Sequence, residues 1–303
     1  MTTNRRRRNL FPYLLVLPLI VSVAFVNLYP LLSALRLSTF DYSLLVGNSE
    51  FIGLENYRQA LRDSVFWRVV VNTIAWTIGS VVIGVPLGLA VALLMNGRIR
   101  GRGAFRALAL VPWVTPPVVA AFMWSFLVSD TFSPISATLK NLGWISHNIA
   151  FLGGVDIGPR PFTLPMMTVM AVNVWVSVPF LMVVFLAGLQ SIPEDLYESA
   201  RIDGAGVWQS FRNITFPLLL PLVEITVLLD AIAQFSRFNL NYLMTNGGPF
   251  NATNILAVYL YQNAFQLFRF GFGAAIGVIM FLMMLPAATI YIMAARRRVF
   301  AEL

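Results

Sequence analysis

Residues 191–217 read SIPEDLYESARIDGAGVWQSFRNITFP, with four acids, two arginines and two glycines, inside a chain that is 58 % hydrophobic and only 11 % charged. The stretch carries its own punctuation. Ser191 followed three residues later by Glu194 has the spacing of a capping box, and Pro193 falls in the first turn, where its missing N–H costs little. Glu194 and Asp195 stand at the positive end of the predicted helix dipole and Arg201 near the negative end. Gly204 supplies the residue that takes φ > 0 and stops the helix. Beyond it Val207, Trp208, Phe211 and Ile214 recur at i, i+1, i+4 and i+7, an apolar stripe on a second short helix. Pro217 then opens the next apolar run. The prediction is a helix–Gly–helix elbow with an apolar face toward the protein and a polar face toward water. Periodicity alone fits equally a capped interhelical loop whose charges are simply solvated.

Outward from the elbow the chain is a membrane sequence. Its 303 residues include 24 Phe and 7 Trp, and its mean hydropathy is +0.76. A hydrocarbon core of ~30 Å takes about 20 mostly apolar residues per helical span. Six such runs are present, at roughly 11–35, 69–94, 107–129, 164–190, 217–237 and 272–295. The expected fold class is therefore all-α and integral to the lipid bilayer, with a basic segment 1–10, a transmembrane domain 11–295 and a basic segment 296–303. The N-terminal RRRRNLFPYLLVLPLIVSVAF resembles a signal peptide, and RRNLF faintly a twin-arginine signal. Its apolar run is far longer than the about 7–15 residues of a signal core, so it reads as an uncleaved first span.

Arginine placement gives the orientation. Segments 1–10, 96–106, 191–216 and 296–303 carry 13 of the 21 Lys and Arg, whereas the longer segments 36–68, 130–163 and 238–271 carry 7. The positive-inside rule then puts both termini and the elbow in the cytoplasm. The net charge of +8 is a topology signal and does not point to nucleic acid. There is no Cys and one His, His147, so thiolate, haem and zinc chemistry have no ligands here. The only lysine, Lys140, follows Leu139, so there is no phosphate-binding G-K-[ST] loop. If ATP drives the protein, another chain binds it.

Proline and glycine punctuate the spans: Pro12, Pro18 and Pro30 in the first, Pro86 in the second, Pro112, Pro116 and Pro117 in the third. Gly84 with Gly88, and Gly273 with Gly277, have the G-x-x-x-G spacing that lets helix backbones approach closely. Among the outer segments, FIGLENYRQAL (51–61) predicts a short amphipathic helix after a turn at Gly53. TNGGPFNATN (245–254) is rich in turn residues, and the following ILAVYLYQNAF (255–265) reads as an interfacial or re-entrant helix or a seventh span.

Polar groups inside such a domain are expensive unless they serve or pair. Thr226, Asp230, Gln234 and Arg237 are spaced to share one face of the fifth span, with Glu224 on another. Asn173, Trp175 and Ser177 in the fourth span add donors, acceptors and a ring suited to sugar edges. Two readings stand side by side for Asp230, Gln234 and Arg237. They form a hydrogen-bonded set within the chain or with a partner, or they line a pathway and touch hydroxyls or a phosphate ester.

The elbow also resembles a known motif. Glu198, Ser199 and Ala200, then three residues, Gly204, nine residues, Ile214, one residue, Phe216 and Pro217 match the EAA motif of permease subunits of binding-protein-dependent ABC importers. Ser199 replaces the usual Ala and Phe216 the usual Leu. FIGLENY (51–57), GLAVALLMN (88–96), RGRGAFRALALVPWV (100–114) and YLMTNGGP (242–249) resemble stretches that recur in that order in carbohydrate-uptake permeases. Gly247, Gly248 and Pro249 point to the subunit type similar to the larger maltose permease and to glycerol-phosphate permeases.

The resemblance implies the six-helix transmembrane domain of a type I ABC importer, in the cytoplasmic (inner) membrane of a bacterium or archaeon. It implies a non-catalytic subunit that forms a pathway with a second, related permease. Two cytosolic ATPase subunits would hold ATP and Mg, and a binding protein outside the membrane would deliver a sugar, polyol or phosphate ester. The elbow would be the coupling helix. Glu198 would make a polar contact to the ATPase with Ser199, Ala200 and Asp203 beside it, Gly204 would permit the turn, and Ala205, Gly206, Val207, Trp208 and Gln209 would ride in its groove. The competing class is an ion-coupled transporter using Glu224 and Asp230, which should carry inverted repeats; none is visible. A membrane enzyme finds no His–acid, Cys or metal constellation.

Overall fold

The computed structural model describes residues 11–43, 47, 49–97, 100–154 and 158–299. The basic segment 1–10 and residues 300–303 of the basic C-terminus lie outside the described residues. In chain order the helices are α1 (Phe11–Val23), α2 (Tyr29–Leu37), α3 (Glu55–Arg62), α4 (Ser64–Asn96), α5 (Arg102–Val114), α6 (Pro117–Leu127), α7 (Pro134–Asn141), α8 (Leu164–Gln190) and α9 (Glu194–Ile202). They continue with α10 (Val207–Ser210), α11 (Phe216–Phe235), α12 (Asn239–Thr245), α13 (Leu256–Tyr261) and α14 (Phe270–Val299). Two three-residue strands, β1 (Phe40–Tyr42) and β2 (Ser49–Phe51), pair antiparallel between α2 and α3, with Phe40 opposite Phe51. This small hairpin was not expected from the sequence, and it leaves the fold class helical.

The chain divides into two compact units. One comprises residues up to Arg62 and Leu260–Leu282. There α1 and α2 form a continuous apolar path, Leu14–Leu37, joined through a wide turn at Ala24–Leu28 in which the Tyr29 N–H reaches back five residues to the Ala24 carbonyl. The wide turn falls just before Pro30, which has no N–H to give and whose ring crowds the preceding turn. The stretch FIGLENY has a structural reason here. Gly53 turns the chain at φ +58°, and Asn56, 5 % exposed, donates from Nδ2 to the carbonyls of Ser38 and Phe40, both at 2.9 Å. The Tyr57 hydroxyl meets the Ser38 hydroxyl at 2.5 Å. Asn56→Ala orphans two carbonyls, and we expect a loss of about 2–3 kcal/mol, read as a lowered thermal midpoint of the purified protein in detergent.

The second unit contains Asp63–Tyr259, with α4 through α12, and the chain from Met283 onward. Asp63 caps α4, its Oδ1 accepting from the Val65 N–H at 2.8 Å while its Oδ2 accepts from the Tyr259 hydroxyl at 2.7 Å. α4 and α8 lie against each other along their length. Their contact is close because Gly88 faces Leu181: a Cβ at position 88 would lie 2.5 Å from that of Leu181. One buried cluster gathers Trp76, Met166, Val169 and Met170 with Leu240, Ile255 and Val258. A second gathers Ala92, Leu181, Phe185, Leu189 and Leu219. The G-x-x-x-G spacing at 84 and 88 thus serves packing, as small residues do between membrane helices.

Two expectations are corrected. The apolar run 107–129 is not one straight span: α5 and α6 meet at 94°. Thr115 precedes Pro116 and Pro116 precedes Pro117, and a residue before proline is pushed out of the helical region. Thr115 has ψ 123° and Pro116 ψ 136°, so two consecutive residues leave the helix together. Of the alternatives open for 255–265 the seventh span falls away, for α13 has six residues and the wide turn Gln262–Gln266 that continues it five, and Ile255, Leu256 and Val258 are fully buried. The chain at its start is held against α4 by polar bonds: Asn72 Nδ2 donates to the carbonyls of Asn251 at 2.8 Å and Asn254 at 3.0 Å, and the Leu256 N–H to Thr73 Oγ1 at 2.8 Å. Among the described residues four helical runs are long and apolar enough to cross a membrane (Leu14–Leu37, Ser64–Asn96, Leu164–Gln190 and Val207–Thr245), the bent pair supplies a fifth, and Phe270–Pro286 is a shorter apolar helix.

Candidate functional site

The elbow begins where α8 ends. Ser191 Oγ donates to the Gly188 carbonyl at 2.7 Å and closes the last turn of α8. The capping box expected from Ser191 and Glu194 therefore does not form, and Pro193 stands at the N-cap of α9. Glu194 and Asp195 lie in the first turn and Arg201 in the last, as the helix dipole favours. α9 ends in a full Schellman pattern: Gly204 sits at φ +80°, its N–H bonds the Arg201 carbonyl at 3.1 Å, and the Ala205 N–H bonds the Ala200 carbonyl at 2.8 Å. A Cβ at position 204 would meet nothing within 4 Å, so the demand for glycine is conformational.

Past Gly204 the Gly206 N–H donates to Gln209 Oε1 at 2.9 Å and starts α10. The stripe predicted to face the protein does so only in part. Val207 is 91 % and Trp208 70 % exposed, and only Phe211 and Ile214 are half-buried. α9 itself has no buried residue, and Val207 and Trp208 line an open groove beside Leu93. Nor does Pro217 open the fifth span. The helix runs from Val207 through a wide turn at Phe211–Thr215, where the Phe216 N–H reaches the Phe211 carbonyl, directly into α11. As at Pro30, the wide turn accommodates the proline just beyond it.

Tyr197 of α9 and Thr215 in the wide turn share a hydroxyl–hydroxyl bond of 2.9 Å. Beside them lies an open groove of ≈ 780 Å³ lined by residues that include Leu93, Tyr197, Trp208 and Phe211. Glu198, Ser199 and Asp203 are exposed and Ala200 and Ala205 half-buried. Among the described residues Glu198 has no hydrogen-bond or ion-pair partner. An exposed Trp is a residue type enriched among interface anchors.

The intramembrane polar residues assemble around Gln234, which is fully buried. Its Oε1 accepts from Asn173 Nδ2 at 2.9 Å and, at 3.5 Å, from Arg237 Nε; its Nε2 donates to Asp230 Oδ1 at 3.0 Å. Asn173 also donates to Ser80 Oγ at 3.2 Å, and Ser177 Oγ back-bonds the Asn173 carbonyl at 2.8 Å. The set joins α4, α8 and α11 and leaves two buried acceptors, Asn173 Oδ1 and Asp230 Oδ2, without a partner. Each is an oxygen with acceptor capacity left unused.

Trp175 does not join this set. Residues 173 and 177 share a helix face, and 175 points elsewhere, packing edge-on against Trp124 at 5.4 Å and lining an apolar groove with Met170, Val174 and Met182. Thr226 bonds its own helix at the Leu222 carbonyl, and Glu224 is half-buried. Ser80 was missed by sequence reasoning, although Thr73, Thr77 and Ser80 form a hydroxyl row at i, i+4 and i+7. Among the described residues no group of His, Cys, Asp and Glu could hold a metal.

The comparisons with known proteins agree with this geometry. The chain is 34 % identical over 286 residues to a probable ABC transporter permease protein of Brucella suis biovar 1, covering 94 % of this chain and 96 % of that one. It is 33 % identical over 291 residues to the trehalose/maltose transport system permease protein of Thermococcus litoralis, covering 94 % of each. It is 33 % identical to the diacetylchitobiose uptake system permease protein of Streptomyces coelicolor, covering 93 % of this chain and 86 % of that one. Its fold matches a chain of a bacterial ABC transporter involved in the import of the acidic polysaccharide alginate, at TM-score 0.80, 22 % identity and 96 % coverage of both chains. The fold is that of a type I ABC importer transmembrane domain. Residues 84–299, from the second span through α14, match the family described as the inner membrane component of binding-protein-dependent transport systems, and the chain belongs to that family.

Proposed function

We propose that this chain is the permease subunit of an ATP-driven sugar importer and that residues 191–217 are where the motor grips it. The observation that carries the reading is the elbow, a short helix with no buried residue, closed by a Schellman turn at a left-handed Gly204 and presenting Glu198, Val207 and Trp208 outward. A segment that buries nothing of its own is placed to be buried by another protein. The chain itself hydrolyses nothing: two cytosolic ATPase subunits bind ATP and Mg, and a second, related permease completes the pathway. An extracytoplasmic binding protein delivers the solute, and both termini and the elbow face the cytoplasm, as the arginine distribution requires.

The substrate class is a sugar or a related polyol or phosphate ester. Relatives named for trehalose/maltose, starch degradation products and diacetylchitobiose support this, as does a fold neighbour solved with an alginate pentasaccharide-bound periplasmic protein. Asn173, Ser177, Asp230, Gln234 and Arg237 supply the polar path, with the open acceptors of Asn173 and Asp230 receiving hydroxyls. Membership of this family leaves the ion-coupled reading of Glu224 and Asp230 without support.

The test is co-purification from the native membrane, comparing wild type with Glu198→Lys combined with Gly204→Pro. Wild type is expected to bring down an ATPase and a second permease, and the variant to lose the ATPase alone. A variant that keeps its ATPase removes the elbow from the docking site. A wild type that purifies alone and still transports overturns the importer reading.

A further inference from the structure

Two soft joints separate the elbow from the fifth span. The first is Gly204, at φ +80° with open space around it. The second is the wide turn Phe211–Thr215, where the regular helix hydrogen-bond ladder is interrupted. A push on α9 that had to travel through the chain would pass both joints and be absorbed there. The hydroxyl bond between Tyr197 and Thr215, 2.9 Å long and 18 residues apart in sequence, bypasses them. Thr215 is 5 % exposed and is the last residue of the wide turn, so its far side is continuous with α11. Tyr197 lies in the middle of α9, one residue before Glu198, and with Ala200 is one of the two half-buried residues of a helix that has none fully buried. A phenol is a stiff lever, with two rotatable bonds and a hydroxyl fixed at the end of a flat ring.

We propose that Tyr197 and Thr215 form a strut that carries the displacement of the elbow into α11, and so to the polar set of Gln234, without either residue touching the ATPase. The proposal rests on the reading of residues 191–217 as the motor-docking elbow and adds how its movement reaches the membrane. Both are positioning residues. The bond can be removed at constant shape by Tyr197→Phe or Thr215→Val, and Thr215→Ser retains a hydroxyl at the same place.

The chain has no cysteine, so a single Ser236→Cys at the exposed C-cap of α11 reports the far end of that helix. The intact complex is reacted with a membrane-impermeant maleimide in the absence of nucleotide and with ATP, Mg and vanadate. In the otherwise wild-type background nucleotide is expected to change the labelling rate. Tyr197→Phe and Thr215→Val should each shrink that change about fivefold, the effect of a hydrogen bond near 1 kcal/mol. The double variant should be no worse than either single one, and Thr215→Ser should restore the change, with the ATPase co-purifying throughout. A full nucleotide response in Tyr197→Phe overturns the strut. Loss of the ATPase from Tyr197→Phe also overturns it, since Tyr197 would then be a docking residue. If wild type gives no nucleotide response, yet ATPase capture depends on Glu198, the docking reading stands and the strut falls. If ATPase capture is indifferent to Glu198 and Gly204, the docking reading itself fails.

Discussion

Gly88→Leu is expected to abolish the folded protein. The α4–α8 contact is the spine of the larger unit, and at Gly88 it leaves no room for a side chain: a bare Cβ would sit 2.5 Å from Leu181 Cβ and 3.4 Å from the Leu181 and Met182 backbone. All three atoms lie in or next to the α8 main chain, so the neighbour cannot rotate away and the two helices must separate. Overpacking of this kind costs about 3 kcal/mol or more, and helix association in a membrane has little besides close packing to replace it. Gly84→Ala is the matched comparison, because its new Cβ would meet only Leu181 Cδ1 at an ordinary 3.5 Å. Membrane yield and the thermal midpoint in detergent should collapse for Gly88→Leu and hold for Gly84→Ala. Equal behaviour of the two would mean that the helices are not held at this crossing.

Gln234→Ala is expected to lower binding-protein-stimulated ATP hydrolysis and transport in the reconstituted importer about 10–100-fold with assembly intact. Every polar atom of the Gln234 amide is in use, toward Asn173, Asp230 and Arg237. Its removal strips Asp230 Oδ1 of the Gln234 donor and Asn173 Nδ2 of its shorter bond, a loss of about 2–3 kcal/mol concentrated at one place. Because the set links three helices by polar bonds, and the apolar clusters around Phe185 and Trp76 are separate from it, co-elution with the second permease should survive. Asp230→Ala should act in the same direction. Normal transport by both variants would take these residues out of the pathway and leave them a purely structural set.

The elbow shows what kinds of inference a linear reading allows. The acids at the start of α9, Arg201 in its last turn and the left-handed Gly204 were all legible, because a cap or a dipole involves residues within four or five positions of one another. The facing of Val207 and Trp208 was not. Periodicity marks which residues share a side of a helix and says nothing of what that side meets, and here Val207 and Trp208 stand exposed while Phe211 and Ile214 are half-buried. Ser191 illustrates the same limit at short range, since its hydroxyl had two helix ends to choose from and satisfied the Gly188 carbonyl.

The spans themselves follow the same division. Hydropathy located the apolar runs, since burial in hydrocarbon is a property each segment meets alone. The 94° break at Thr115–Pro116 was written in the sequence as two adjacent prolines, but membrane helices often tolerate proline with a mild kink, and only the surrounding packing decides between a kink and a corner. The partners of Gln234 were beyond any local rule: Asn173 is 61 residues away and Ser80, its further neighbour, 93 residues from Asn173. Spacing placed Asp230, Gln234 and Arg237 on one face of one helix. Which helix that face meets, and which lone pairs remain open, is fixed by the close approach of α4 and α8 at Gly88 and by the way α11 lies against them. Contacts of that range depend on the whole assembled fold, where chain-neighbour energies have no say.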